Sequence, residues 1–166
     1  MKRAVAFVSL SLLAFGLNAQ NLTLQDIHIR DPFILVDSDT YYLYASSSVD
    51  GVGGVAVYTS KDLQTWTEKK QVMTIPEGNW SRGGVWAPEV HKYKGKYYLF
   101  ATINEPTKWK MDREDWPDYM YRATQIFCSK SPEGPFVPTA DFPQPPIDYM
   151  TLDGTLFVED NEPYMV

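Results

Sequence analysis

The 166-residue chain carries 15 basic and 21 acidic side chains, a net charge of −6, and a single cysteine. Such a balance repels nucleic acid and anionic membrane surfaces. One cysteine forms no internal disulfide and no cysteine-rich metal site, so the fold must rest on packing.

The first residues, Met1 to Arg3, are basic; Ala4 to Leu17 is largely apolar; Ala19 is small. That is the order of a secretory signal, and the apolar run falls short of the ~20 residues a spanning helix needs. Residues 1–19 are therefore assigned to a signal peptide, and 20–166 to a mature chain that is exported, secreted or periplasmic, with no stable membrane insertion after cleavage. Losing Lys2 and Arg3 leaves 13 basic against 21 acidic residues, a net −8.

From there on, short aromatic and β-branched runs alternate with turn residues, and helical periodicity is hard to find, which predicts an all-β protein. The first such run lies in H-I-R-D-P-F-I-L-V, His28 to Val36. Asp31 stands before proline at the head of this strand, where it is either a turn residue or a carboxylate held out for chemistry.

Laid against itself, the chain repeats. P-F-I-L-V-D-S-D-T-Y-Y-L-Y-A, Pro32 to Ala45, matches P-E-V-H-K-Y-K-G-K-Y-Y-L-F-A, Pro88 to Ala101, without a gap; G-T-L-F-V-E-D-N-E-P-Y-M-V begins a third copy at Gly154. Copies one and two then both read as a strand, a Ser-Lys turn (Ser60-Lys61, Ser129-Lys130) and an aromatic outer strand. Four strands repeating at blade length predict a β-propeller, of which about two and a half blades are represented. A sandwich with similar hairpins is the alternative, but it does not require the Ser-Lys turns to recur in order.

In this register Asp31 corresponds to Ala87 and then to Asp153, which puts two aspartates at equivalent points of innermost strands facing one channel. The antiparallel order gathers the longer segments on the same face: Ser46–Gly54, Ile75–Pro88, Asn104–Tyr121 and Phe142–Thr151. They hold Trp80, Trp86, Trp109 and Trp116. Aromatic and polar loops around a channel mouth are what a ligand site requires.

Six ordered stretches carry a resemblance: R-D-P-F-I (30–34), S-K-D-L-Q-T-W (60–66), V-W-A-P-E-V (85–90), G-K-Y-Y-L-F-A (95–101), S-P-E-G-P-F (131–136) and L-D-G-T-L-F (152–157). Together they resemble the N-terminal part of family 43 glycoside hydrolases. The resemblance implies a five-bladed β-propeller hydrolase, inverting at the anomeric centre and acting on plant cell-wall carbohydrate containing arabinose or xylose. It also implies that Asp31 is the general base and Asp153 the carboxylate that tunes the general acid's pKa and orients it. The acid itself, a glutamic acid of the fourth blade, has no counterpart in this chain. Glu133 shares its E-G-P context but precedes an outer strand, at the wrong radius. The 166 residues alone are accordingly expected to lack glycosidase activity, and the end at Tyr164-Met165-Val166, inside a strand, is expected to reflect a gap in the gene record.

Trp86 is either a wall for a sugar's apolar face or core packing beneath its loop. Trp80, Trp109 and Trp116 are rim platforms or loop anchors. Arg30 neutralises a carboxylate, binds substrate hydroxyls or forms a surface ion pair. Glu89, inside strand one of blade two, reads as a structural partner, the paired tyrosines (41, 42, 97, 98) as blade packing, and Cys128 as a buried, inert thiol. His28 and His91 are too isolated for a metal pair, so no metal or cofactor is expected within these residues. The rival from another class is a non-catalytic sugar-binding propeller. Phosphorolysis would need a basic pocket, and only Arg30 and Arg82 lie near the mouth.

Overall fold

A computed structural model describes residues 21–109, 119–146 and 148–166. The assigned signal peptide, Trp116 and the centre of the 104–121 segment lie outside these residues. Every regular element among them is a strand.

Blade one is the sheet β1 (Phe33–Asp37), β2 (Thr40–Val49), β3 (Val52–Ser60) and β4 (Lys70–Thr74), and blade two is β5 (Val85–Tyr93), β6 (Lys96–Trp109), β7 (Tyr119–Ser129) and β8 (Val137–Pro138). Each is a four-stranded antiparallel meander in sequence order. The third sheet pairs β9 (Leu156–Glu159) with β10 (Glu162–Met165). Residues 32–45 and 88–101 form equivalent hairpins, as the self-alignment requires.

The backbone repeats as closely as the sequence does. Asp31, Ala87 and Asp153 all take left-handed φ values, of 49°, 41° and 52°, and the turn residues Ser38, Lys94 and Asp160 do the same at 55°, 45° and 50°. Alanine has no side-chain hydrogen bond to favour that conformation, which costs it roughly 1–2 kcal/mol. The blade architecture therefore imposes the kink at these positions, whichever residue occupies them.

The core lies between the blades. Tyr44, Val55, Val57, Val72 and Met73 from blade one meet Val90, Leu99, Ala101, Ile103, Phe127 and Phe136 from blade two. Fully burying a side chain such as Leu99 or Phe127 contributes about 1.5–3 kcal/mol each. Tyr42 and Tyr97 belong to the same cluster, so those tyrosines pack the blades as expected. The seam is also stitched by polar contacts. The Tyr44 hydroxyl donates to the Pro132 carbonyl at 2.6 Å, and Phe136 N–H donates to the Val72 carbonyl at 2.8 Å. Gly134 is required here, because a Cβ would meet the Val72 carbonyl oxygen at 2.5 Å and its φ is +71°.

Four expectations are corrected. The 46–54 segment is not a loop: β2 and β3 run through it, Ser46 opposite Val55 and Ser48 opposite Gly53, and reverse at Asp50-Gly51. Both turn residues are left-handed, φ 50° and 79°, which suits a tight two-residue hairpin that preserves strand twist. Likewise β6 extends to Trp109 and β7 starts at Tyr119, narrowing the 104–121 loop. The outer strand of blade one does not contain Trp66. That indole is buried against Leu43 and Tyr58, and its backbone instead pairs with Leu22, with both N···O distances 2.8 Å. Asp62 holds the preceding turn by accepting the Gln64 and Thr65 N–H groups, each at 2.8 Å, which delays the edge strand to Lys70. Cys128 is only half-buried, because β8, which covers it opposite Val137, is two residues long.

Candidate active site

Asp31 lies two residues before β1, exposed and in a left-handed kink. Beside it, Arg30, Ser46, Val85 and Trp86 complete the lining of a recess of about 360 Å³. Blade one supplies the charged and hydroxyl groups, and blade two supplies the apolar wall. Arg30 and Ser46 also border a wider depression that runs on past His28 and Ile29.

Trp86 reaches the recess because its loop is braced. The Ser81 hydroxyl donates to the Asn104 carbonyl at 2.7 Å and accepts the Gly83 N–H at 3.1 Å. Asn104 donates its backbone and side-chain N–H groups to the Gly84 carbonyl, at 2.9 and 3.0 Å. Gly83 is packed so closely that a Cβ would fall 1.9 Å from the Asn104 oxygen. The indole that emerges stays 38% exposed, unusual for a tryptophan beside a dense core and suited to stacking against the apolar face of a sugar. The Arg122 guanidinium lies 4.7 Å from its ring centroid.

Asp153 is placed by blade two. Its backbone N–H donates to Thr102 Oγ1 at 2.9 Å, and the Thr102 hydroxyl lies 3.4 Å from Asp153 Oδ1. Gly154 N–H donates to Thr124 Oγ1 at 3.1 Å, and Thr151 N–H donates to the Arg122 carbonyl at 3.1 Å. The next side chain on that face, Thr155, donates to Glu89 Oε2 at 2.6 Å, and the same carboxylate oxygen lies 3.0 Å from His91 Nε2. Thr102 also sits opposite Trp86 in the β5–β6 register. One threonine thus registers the tryptophan wall against the segment that carries Asp153.

The other sequence candidates take different places. Trp80 does not line the recess; its indole N–H donates to Gln125 Oε1 at 2.9 Å and its ring meets Tyr121 edge-on at 5.7 Å. That is an anchor for the 75–88 loop. Trp109 ends β6 and its side chain lies outside the described ones. Glu133 pairs with Lys70 at 3.0 Å on the outer rim, and Glu89 has the structural partners just given. Among the described residues no cluster of three or more metal-binding side chains occurs. Sequence reasoning missed Ser46, Thr102, Thr124 and Arg122, which act across blades. The repeat contained a partial pointer, since Ser46 and Thr102 are equivalent positions.

Two four-stranded antiparallel sheets and a third hairpin, with an aspartate preceding the first strand of two of the three, are the arrangement of successive propeller blades. The sequence profile described as Glycosyl hydrolases family 43 matches residues 24–166, and the chain belongs to that family. The described residues make up about two and a half of the five blades of the family's propeller. The endo-arabinase from Bacteroides thetaiotaomicron VPI-5482 superposes with a TM-score of 0.72 at 33% identity, over 87% of this chain and 46% of that one. An extracellular exo-α-(1→5)-L-arabinofuranosidase of Cellvibrio japonicus (strain Ueda107) is 26% identical over 87 residues, 48% of this chain and 23% of its own length. A protein of Escherichia coli (strain K12) provisionally named a beta-xylosidase is 33% identical over 92 residues, 50% of this chain and 17% of its own length. The chain thus spans about half of the endo-arabinase and about a fifth of the two curated relatives.

Proposed function

We propose that this chain forms the base-bearing part of an inverting glycoside hydrolase that acts on arabinose- or xylose-containing plant polysaccharides or their oligosaccharides. The observation that carries the reading is the recess in which Asp31, Arg30 and Trp86 converge, in a chain of family 43 whose relatives are named as an endo-arabinase, an exo-α-(1→5)-L-arabinofuranosidase and, provisionally, a beta-xylosidase.

In this reading Trp86 stacks against the apolar face of a pentose and Arg30 donates to its hydroxyls. Asp31 takes a proton from water as the water oxygen bonds to the anomeric carbon. The glycosidic C–O bond breaks on the opposite side, and its oxygen takes a proton from a general acid roughly 6.5–9.5 Å from the base. Asp153 stands near that acid and raises its pKa, because two adjacent carboxyl groups resist double ionisation. The acid is supplied by a part of the propeller other than these two and a half blades. No cofactor takes part in this scheme. The 166 residues alone accordingly bind sugar without hydrolysing it, which is also what a purely sugar-binding propeller would do. Export is proposed from the basic, apolar and small-residue order of residues 1–19.

The test joins this chain, in register, to the blades of the endo-arabinase that it does not span, and follows release of reducing sugar from arabinan and xylan. Hydrolysis that disappears with Asp31→Asn supports the enzyme. Hydrolysis that survives Asp31→Asn removes Asp31 as the base, and sugar binding without hydrolysis in the joined protein supports the binding module.

A further inference from the structure

We propose that Arg122 is a positioning residue that fixes the indole of Trp86 from behind and so sets the pentose-facing wall of the recess. The inference rests on the glycosidase reading only for the identity of the ligand; the positioning itself is a property of the fold.

Arg122 lies on β7, in the ladder opposite Asn104, the residue whose carboxamide and backbone brace the Trp86 loop. Its guanidinium carbon is 4.7 Å from the Trp86 ring centroid. Trp86 lines the recess and Arg122 is not among its lining residues, so the cation meets the indole from outside the recess. The recess side stays free for a ligand.

The arginine is a costly choice for this place. Its Nε is buried without a hydrogen-bond partner among the described residues, and leaving a buried donor unpaired is unfavourable. A methionine would fill the same volume without that penalty. What the arginine adds is a flat, charged surface that matches the indole plane and is attracted to it. An exposed indole otherwise samples several rotamers, and ordering it on binding weakens affinity. With one face held, the ring is presented in a single orientation before the sugar arrives. Arg122 also accepts the Thr151 N–H through its carbonyl. One residue of β7 thereby touches both the segment that leads to Asp153 and the wall beside Asp31.

The experiment labels the full 166-residue chain with 5-fluorotryptophan, assigns the Trp86 fluorine resonance by Trp86→Phe, and titrates with an α-1,5-linked arabino-oligosaccharide and with a xylo-oligosaccharide. In Arg122→Met the Trp86 resonance is expected to shift or broaden while the other tryptophan lines hold their positions. Affinity for the oligosaccharide that binds is expected to fall by roughly three- to thirtyfold. Arg122→Lys, which keeps the cation and loses the plane, is expected to displace the same line by less; if Arg122→Met does not fold, this variant decides by the same criterion. An unmoved Trp86 line with unchanged affinity overturns the proposal. Weaker binding with an unmoved Trp86 line also overturns it, because Arg122 would then touch the sugar itself. A Trp86 line that moves in a protein that binds neither oligosaccharide keeps the positioning role and removes the sugar reading.

Discussion

Asp31 and Asp153 share one backbone conformation, with φ of 49° and 52°, at the heads of equivalent inner strands two blades apart. Right-handed kinks are disfavoured before a proline such as Pro32, and aspartate tolerates the left-handed region better than most residues. The kink turns each carboxylate out of its strand, and both remain exposed. Asp31→Asn should therefore fold with little loss of stability, whereas Asp31→Val, β-branched at a left-handed position, should lose about 1–2 kcal/mol. Urea unfolding of the two variants distinguishes local backbone strain from loss of the carboxylate.

Thr102 is the second point of leverage. It is fully buried, and its hydroxyl accepts the Asp153 N–H. Thr102→Val keeps the shape and leaves that N–H unpaired, which should cost about 1–3 kcal/mol. Hydrogen exchange should accelerate at Asp153 and Gly154 while the β2–β3 amides of blade one stay protected. Uniform acceleration across both blades would mean that Thr102 supports the fold as a whole rather than the Asp153 segment.

The bottom of the first seam predicts a pH dependence. Asp37 accepts two hydrogen bonds from Lys92 Nζ, at 2.8 and 3.0 Å, and one from the Tyr97 hydroxyl. The Lys92 bond, then the Tyr97 bond, holds its carboxyl below the ordinary value of 3.8. A group lowered on folding binds fewer protons folded than unfolded, so its contribution is complete above the unfolded value and is lost as pH falls through the folded one. Urea midpoints measured from pH 5 downward should decline less steeply in Asp37→Asn than in the parent chain. Parallel declines would show that the contact adds no pH-dependent stability.

Gly83 is fixed by space. Any Cβ would lie 1.9 Å from the Asn104 carbonyl oxygen, so Gly83→Ala must push the Trp86 loop away from β6. A loss of roughly 1–3 kcal/mol is expected, accompanied by a change in Trp86 fluorescence. Stability lost with an unchanged Trp86 signal would separate the brace from the wall.

The part of this architecture written in short-range pattern was legible in the sequence. Hairpin turns at Ser38, Lys94 and Asp160, the all-β class and the equivalence of Asp31 with Asp153 follow from local residue types repeated at a fixed spacing. The Ser46–Gly54 segment reads as a loop because serine and glycine are typical of loops; opposite one another they form a strand pair, and a Cβ would fall 2.1 Å from the Gly83 carbonyl oxygen at Gly53 and 2.4 Å from that of Met73 at Gly54. Trp66 was misread because its pairing partner, Leu22, lies outside the repeat. The residues that seat the site, Thr102 and Thr124 for Asp153 and the braced loop for Trp86, act between elements distant in sequence. Threonine in a strand carries no mark of whether its hydroxyl will meet a neighbouring blade.

The most direct measurement of the central claim is proton NMR of the anomeric region during the first minutes of hydrolysis of an α-L-arabinofuranosyl substrate, by the joined protein described above and by its Asp31→Asn variant. With Asp31 activating water opposite the leaving group, the first sugar released is the β-anomer, and the variant falls by a factor on the order of 10²–10⁴. Initial release of the α-anomer, or an undiminished rate in Asp31→Asn, would contradict it.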